Sequence, residues 1–144
     1  MEKKCILIYD DDVEILNVCK AILQSSNYRV ETIQTCENII SDVLRVQPGI
    51  VLMDLWIPSI GGENAVRYMH ENPETKDIPV VLFSASDDIE KISERVQADS
   101  FLRKPFDIQT FKDTIKEYIL WLAFISKPRF NRQPMHSSPG RPVF

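Results

Sequence analysis

Four short strand-like segments of the chain each end at a residue that can bind a cation or a phosphate. Asp10 and Asp11 follow residues 5–9, Asp54 follows residues 50–53, Ser84 follows residues 80–83, and Lys104 follows residues 100–103. Three carboxylates brought together repel one another unless a cation neutralises them. Oxygen ligands without histidine or cysteine favour a hard ion, Mg²⁺ before Ca²⁺, with water completing the coordination. The sequence therefore predicts a magnesium site where these segment ends meet.

The same residues are suited to phosphoryl transfer. A Mg²⁺ ion held by few protein ligands keeps coordination positions for phosphate oxygens. Asp54 is the best candidate nucleophile, because it stands alone on a central strand between the acid pair and the Ser84 and Lys104 positions. A carboxylate nucleophile forms an acyl phosphate, whose oxygens an ammonium and a hydroxyl can stabilise. We therefore expect Lys104 and Ser84 to bind the phosphoryl group.

Each residue alone has an ordinary structural explanation. A single aspartate after a strand is usually a helix cap or a turn residue. Asp12 fits that role, since it stands where the first predicted helix begins. A serine or a Lys-Pro pair in a loop is equally common. The functional interpretation depends on the joint pattern, in which successive strands end on two acids, one acid, a serine and a lysine.

The elements that position these residues alternate along the chain. Predicted strands cover residues 5–9, 28–33, 50–53, 80–83 and 100–103; predicted helices cover residues 13–25, 36–46, 63–70, about 87–97 and about 108–125. Such alternation predicts right-handed βαβ units and a parallel sheet covered on both faces. The first, third and fourth strands are entirely apolar and should be central. We therefore predict a flavodoxin-like doubly wound α/β fold with strand order 2-1-3-4-5, whose ligand site lies beside strands 1 and 3.

Composition limits the remaining possibilities. The 144 residues carry a net charge of −4, but residues 127–144 contain four cations, four prolines and no acid. We predict one domain over residues 1–126 and a basic, proline-rich tail or linker over 127–144. Residues 1–126 are acidic, and a net negative charge does not favour direct binding of nucleic acid. Three cysteines without metal-ligand spacing, and no apolar segment long enough for a membrane span, predict a cytoplasmic protein with buried thiols.

Residues 4 to about 125 resemble the receiver domains of two-component response regulators, of the single-domain chemotaxis-regulator type. The motifs that carry the resemblance are ILIYDDD, IVLMDLWIPSIGG, VVLFSAS and FLRKPF. The resemblance implies a phosphorylation-dependent signalling switch that takes its phosphoryl group from a histidine kinase or a phosphotransfer protein. Such a protein turns over no metabolite and catalyses only its own Mg²⁺-dependent phosphorylation and dephosphorylation. A homodimer or target contact would use the face formed by helix 4, strand 5 and helix 5.

The resemblance also implies individual roles. Asp54 would be the phosphoacceptor, and Mg²⁺ would be held by Asp11, Asp54 and the backbone carbonyl of Trp56, with Asp10 completing the acid pocket, directly or through water. Ser84 would be the switch hydroxyl, Phe101 the switch aromatic, and Lys104 the ammonium that binds the phosphoryl group. The peptide bond between Lys104 and Pro105 would be cis.

Four positions depart from the family pattern. Gly61-Gly62 stands where an Asp-Gly pair is usual, and two glycines still permit the turn. Phe101 replaces the commoner tyrosine, so a switch there must work through ring burial. Ser100 stands where glycine or alanine is usual, and Trp56 is large for its place beside Asp54. None of these changes removes a reactive group.

Three other classes of protein compete with this interpretation. A metal-dependent phosphatase with an aspartate nucleophile would need a second acid two residues later, where this chain has Trp56. A nucleotide- or flavin-binding protein would need a phosphate-binding loop after strand 1, and the chain has three acids there and no P-loop motif. A degenerate receiver that only binds partners is disfavoured, because every reactive residue is present.

Helix 5 carries more apolar residues than one buried stripe requires. The stripe is predicted to contain Ile108, Phe111, Ile115, Ile119 and Leu122, which leaves Leu120, Trp121, Phe124 and Ile125 in excess. One explanation is that the tail folds back over them. The alternative hypothesis is that Trp121 and Phe124 anchor a dimer or a target contact.

Overall fold

The computed structural model describes residues 3–124, with side chains described through residue 120. Five strands alternate with five helices in the order β1 (Cys5–Tyr9), α1 (Val13–Ser25), β2 (Arg29–Ile33), α2 (Ile39–Val46), β3 (Ile50–Asp54), α3 (Gly62–Glu71), β4 (Val80–Ser84), α4 (Ile89–Val96), β5 (Ser100–Arg103) and α5 (Ile108–Phe124). All neighbouring strands are parallel, and the sheet order is β2-β1-β3-β4-β5. The predicted doubly wound fold is confirmed.

The core consists of two layers of apolar side chains, one on each face of the sheet. Helices α2, α3 and α4 cover one face, and α1 and α5 cover the other. Every residue of β1, β3 and β4 is buried, as their uninterrupted apolar sequence predicts for central parallel strands. The predicted burial of the three cysteines is also confirmed, and all three are free thiols.

Local side-chain and backbone features explain where α1 and α2 begin and where α4 ends. Asp12 caps α1 as predicted, because its side chain accepts a hydrogen bond from the Glu14 N–H at 2.9 Å. Helix α2 begins at Ile39, three residues later than predicted, because the Asn38 side chain caps it by accepting from the Ser41 N–H. Helix α4 ends at Val96, since Gln97 adopts a left-handed conformation with φ of 60°.

The buried stripe of α5 differs from the prediction in one residue that the structure describes. Ile108 is 58% exposed, whereas Phe111, Ile115 and Ile119 are buried as predicted. Phe106, from the loop before the helix, stacks on Phe111 with ring centroids 5.2 Å apart, and so covers the beginning of the helix in place of Ile108. The predicted excess at Leu120 is visible, since its side chain is 48% exposed.

Several predictions fall outside the described residues. The side chains of Trp121, Leu122 and Phe124, residue Ile125, and the predicted tail at residues 127–144 belong to this group. Within residues 3–124, no helix combines the length and apolar character needed to cross a membrane. The cytoplasmic location stays a prediction.

Candidate functional site

Three carboxylates meet at the carboxyl edge of the sheet, between β1 and β3. Oxygen atoms of Asp10, Asp11 and Asp54 all lie within 4.8 Å of one another. Asp54 is the last residue of β3, and Asp10 directly follows β1, so the pairing of these two strands brings them together. Asp10 is 1% exposed and Asp54 is 5% exposed, whereas Asp11 is exposed to solvent. The site is therefore a small acidic pocket that is open on one side.

Lys104 supplies the cation that faces this pocket. Its Nζ lies 2.6 Å from Oδ2 of Asp10 and 3.8 Å from Oδ1 of Asp54, and it also lies over the Phe83 ring. The backbone N–H of Lys104 donates to the Ser84 carbonyl at 2.8 Å, which continues the pairing of β4 and β5 by one residue. The Lys104-Pro105 peptide bond is cis, as the resemblance implies. In this structure the ammonium binds Asp10 more closely than Asp54.

Burial and the neighbouring carboxylates disfavour the ionised form of Asp54. Burial raises the pKa of Asp54 to about 6, and the neighbouring Asp10 and Asp11 act in the same direction, against the opposing effects of Lys104 and the Trp56 N–H. Lys104 therefore does not fully offset the burial of Asp54 together with the charges of its two acidic neighbours. A second cation would stabilise the pocket.

The pocket has the chemistry of a hard-cation site. Its ligand atoms are carboxylate oxygens alone, which favour Mg²⁺ or Ca²⁺ over metals that prefer nitrogen or sulfur. The exposure of Asp11 leaves room for water to complete the coordination shell. The residues present fit a magnesium ion.

The β3–α3 loop forms the wall of the pocket beside Asp54. The Trp56 N–H donates to Oδ1 of Asp54 at 3.4 Å, while the Trp56 side chain is 69% exposed. Gly61 has a φ of 80°, which suits glycine. A Cβ atom on Gly62 would lie only 2.7 Å from the Asp54 carbonyl oxygen. The glycine pair thus permits the turn, as expected, and also lets α3 begin directly against the end of β3.

Ser84 is the last residue of β4, and Phe101 lies on the adjacent strand β5, where it pairs with Leu82. Ser84 is 1% exposed, and its Oγ accepts a hydrogen bond from the Ser86 N–H at 3.1 Å. Phe101 is 7% exposed and packs in the cluster that contains Ile89 and Ile92 of α4. The ring is thus already buried in this structure, so a switch at Phe101 would change its packing rather than bring it in from solvent.

Two contacts are not evident from the sequence. The hydrophobic pattern indicates Tyr9 only as an apolar strand residue, but its hydroxyl donates to Oδ2 of Asp42 at 2.6 Å. The close approach of Gly62 to Asp54 is not evident either. A tyrosine at the end of an otherwise aliphatic strand was a signal for the first, and the double glycine was a signal for the second.

The family model of the response regulator receiver domain matches residues 6–116. This chain belongs to that family. Receiver domains are the phosphorylation-dependent switches of two-component signalling, and they are not enzymes that turn over a metabolite. The motifs that carried the resemblance in the sequence all lie within or next to the matched residues.

Among curated relatives of this receiver domain is the polar-differentiation response regulator DivK of Brucella anthropi. It is 26% identical over 121 residues, which cover 81% of this chain and 96% of DivK. The DNA-binding dual master transcriptional regulator RpaA of Synechocystis is 32% identical over 111 residues, or 72% of this chain. These residues span only 44% of RpaA. What the remainder of RpaA does is therefore not transferred to this chain.

Solved structures share the fold of this receiver domain. The chemotaxis response regulator CheY4 of Vibrio cholerae superposes with a TM-score of 0.74 at 22% identity, covering 81% of this chain and 99% of CheY4. The receiver domain of sensor histidine kinase PA1611 from Pseudomonas aeruginosa PAO1 superposes with a TM-score of 0.74 at 21% identity. The match covers 82% of this chain and 98% of the PA1611 domain. That structure has a magnesium ion coordinated in the active site cleft. At these identities the likeness concerns the fold.

Proposed function

We propose that this receiver domain accepts a phosphoryl group on Asp54 from the phosphohistidine of a histidine kinase or a phosphotransfer protein. The observation that carries the proposal is the position of the Asp54 carboxylate, which is buried beside Asp10 and Asp11 and is only partly compensated by Lys104. An oxygen of Asp54 attacks phosphorus, the P–N bond of the phosphohistidine breaks, and the imidazole leaves with its electron pair. Water later hydrolyses the acyl phosphate and restores the carboxylate.

The pocket residues have different roles in this transfer. Asp11, Asp54 and the Trp56 carbonyl would hold Mg²⁺, with Asp10 completing the acid pocket. When bound, the ion would supply charge neutralisation for the phosphoryl oxygens. Lys104, which lies 3.8 Å from Asp54, is within reach of an oxygen of a group attached there. The Ser84 hydroxyl would donate a hydrogen bond to another oxygen.

The experiment that tests the proposal is intact-mass spectrometry after incubation with a small acyl-phosphate donor, with Mg²⁺ or with EDTA. The wild type should gain the mass of one phosphoryl group when Mg²⁺ is present, and Asp54→Asn should gain none. Labelling of Asp11→Ala should be no higher with Mg²⁺ than with EDTA, because this variant lacks a proposed metal ligand. Full labelling of Asp54→Asn would refute the assignment.

Asp12→Asn provides the matched control. It removes one negative charge from the same acidic run but keeps a side-chain oxygen that can cap α1, where Asp12 binds the Glu14 N–H. It should therefore be labelled like the wild type. Loss of labelling in Asp12→Asn would mean that net charge, rather than the three pocket carboxylates, controls the reaction.

A further inference from the structure

The β3–α3 loop, residues 55–61, needs support from outside itself to keep its shape. Ser59 has a φ of 83°, a left-handed conformation that a residue with a side chain rarely adopts. The loop contacts Asp54 through the Trp56 N–H and through the Ile57 N–H, which donates to the Asp54 carbonyl at 3.2 Å. Any displacement of the loop would therefore move the wall of the pocket, including the Trp56 carbonyl.

Cys36, in the segment between β2 and α2, holds this loop through its backbone. Its N–H donates to the Pro58 carbonyl at 3.1 Å, and its carbonyl accepts from the Ile60 N–H at 3.1 Å. These two bonds make an isolated parallel bridge between Cys36 and Ser59. Cys36 is completely buried, so its own position is set by the side chains packed around it.

The Tyr9 hydroxyl ties β1 to the start of α2, the helix that follows the Cys36 segment. It donates to Oδ2 of Asp42, in the first turn of α2, at 2.6 Å, and Tyr9 packs in the same buried cluster as Cys36. Tyr9 is fully buried, ends β1 and directly precedes Asp10.

We propose that Tyr9 is a positioning residue for the metal and phosphoryl site. Its hydroxyl fixes the start of α2, the segment that leads into α2 contains Cys36, and Cys36 fixes the loop that carries Trp56. This inference rests on the proposed function, in which the Trp56 carbonyl is a Mg²⁺ ligand. Groups that orient metal ligands typically change metal affinity about 10- to 100-fold when they are removed. Tyr9 acts one contact further away, and we expect Tyr9→Phe to weaken Mg²⁺ binding by about three- to tenfold.

The test is calorimetric titration of metal-free protein with Mg²⁺. Tyr9→Phe removes one oxygen and keeps the ring that fills the core. Tyr118→Phe is the matched control: Tyr118 is 1% exposed, and its hydroxyl donates at 2.6 Å to the carbonyl of Asp99, which precedes β5 at the opposite edge of the sheet. Both variants lose a buried tyrosine hydrogen bond, but only Tyr9→Phe should bind Mg²⁺ more weakly.

A second pair of variants tests the acceptor of the Tyr9 hydrogen bond. Asp42→Asn keeps an oxygen that can accept from Tyr9 and should retain the Mg²⁺ affinity of the wild type. Asp42→Ala removes the acceptor and should resemble Tyr9→Phe. Both lose the 3.8 Å ion pair between Asp42 and Arg45, so their difference reports the hydrogen bond. If Tyr9→Phe does not fold, this pair decides the question.

Two results would overturn the inference. One is wild-type Mg²⁺ affinity in both Tyr9→Phe and Asp42→Ala, and the other is equal weakening in Tyr118→Phe. The outcome is separable from that of the proposed function. A wild type that binds Mg²⁺ in a Tyr9-dependent manner but takes no phosphoryl group on Asp54 would refute the function and support the positioning role.

Discussion

At the scale of single residues, the hydroxyl of Ser84 can donate a hydrogen bond to a new acceptor beside it. Its oxygen accepts from the Ser86 N–H, which leaves its own proton available for donation. An acyl phosphate on Asp54 would offer acceptor oxygens, and movement of Ser84 towards them would release Ser86 and disturb the β4–α4 loop. That loop leads directly into Ile89, which belongs to the same apolar cluster as Phe101. We therefore expect phosphorylation to repack the Phe101 ring against α4.

The corresponding prediction separates phosphorylation from switching. Ser84→Ala should still accept phosphate from a small donor, slowed by about tenfold for the loss of one hydrogen-bond donor. The NMR signals of the Phe101 ring should shift on phosphorylation of the wild type and stay unchanged in phosphorylated Ser84→Ala. Ser84→Thr, which keeps the hydroxyl, should restore the shift. Unchanged ring signals in the phosphorylated wild type would exclude this route.

At the scale of secondary structure elements, the junction of β3 and α3 depends on the absence of a side chain. Gly62 is the first residue of α3, and a Cβ atom there would lie 2.7 Å from the Asp54 carbonyl oxygen and 2.8 Å from Cα of Leu55. Both obstacles are backbone atoms that cannot move without displacing the end of β3. The helix can therefore start immediately after the loop only if this position is glycine.

Gly62→Ala should destabilise the fold by about 2 kcal/mol, as overpacking against rigid neighbours does. This is the reverse of the usual effect, since alanine is generally favoured over glycine in a helix by about 1 kcal/mol. Urea denaturation of the metal-free protein measures the change. Gly49→Ala is the control, because its Cβ would lie 3.7 Å from the Cys5 carbonyl, an ordinary contact, and should have little effect. Wild-type stability in Gly62→Ala would show that the junction can relax.

At the scale of the whole molecule, α5 is a candidate for a contact with another protein. Ile108 and Leu120 are large apolar residues on this helix that are 58% and 48% exposed. The helix continues to Phe124 and includes Trp121, whose side chain lies outside the described residues. We propose that this helix makes a homodimer or target contact in which Trp121 and Phe124 are the anchors.

Sedimentation velocity across a range of concentrations tests the dimer directly. The wild type should self-associate more strongly when phosphorylated, and the double variant Trp121→Ala/Phe124→Ala should remain monomeric, because the aromatic anchors are lost. A variant that ends after residue 126 shows whether residues 127–144 oppose the contact. A wild type that stays monomeric under all of these conditions would rule out self-association.

The sequence by itself determined the order of the strands and the identity of the pocket acids. Both depend on local information: uninterrupted apolar segments indicate central strands, and the acids stand directly at the ends of those segments. In a parallel sheet, the carboxyl ends of neighbouring strands necessarily meet at one edge. The convergence of Asp10, Asp11 and Asp54 follows from that rule and needs no knowledge of side-chain packing.

Only the tertiary structure decided the contacts between side chains on different elements. Lys104 binds Asp10 across 94 positions of sequence, and Tyr9 reaches Asp42 across 33. Phe106 takes the place predicted for Ile108, because the loop folds over Phe111. Such pairings depend on the register of the strands and the rotation of each helix, which a hydrophobic pattern constrains only to a face. The raised pKa of Asp54 belongs to the same class, since it depends on burial and on charges supplied by distant parts of the chain.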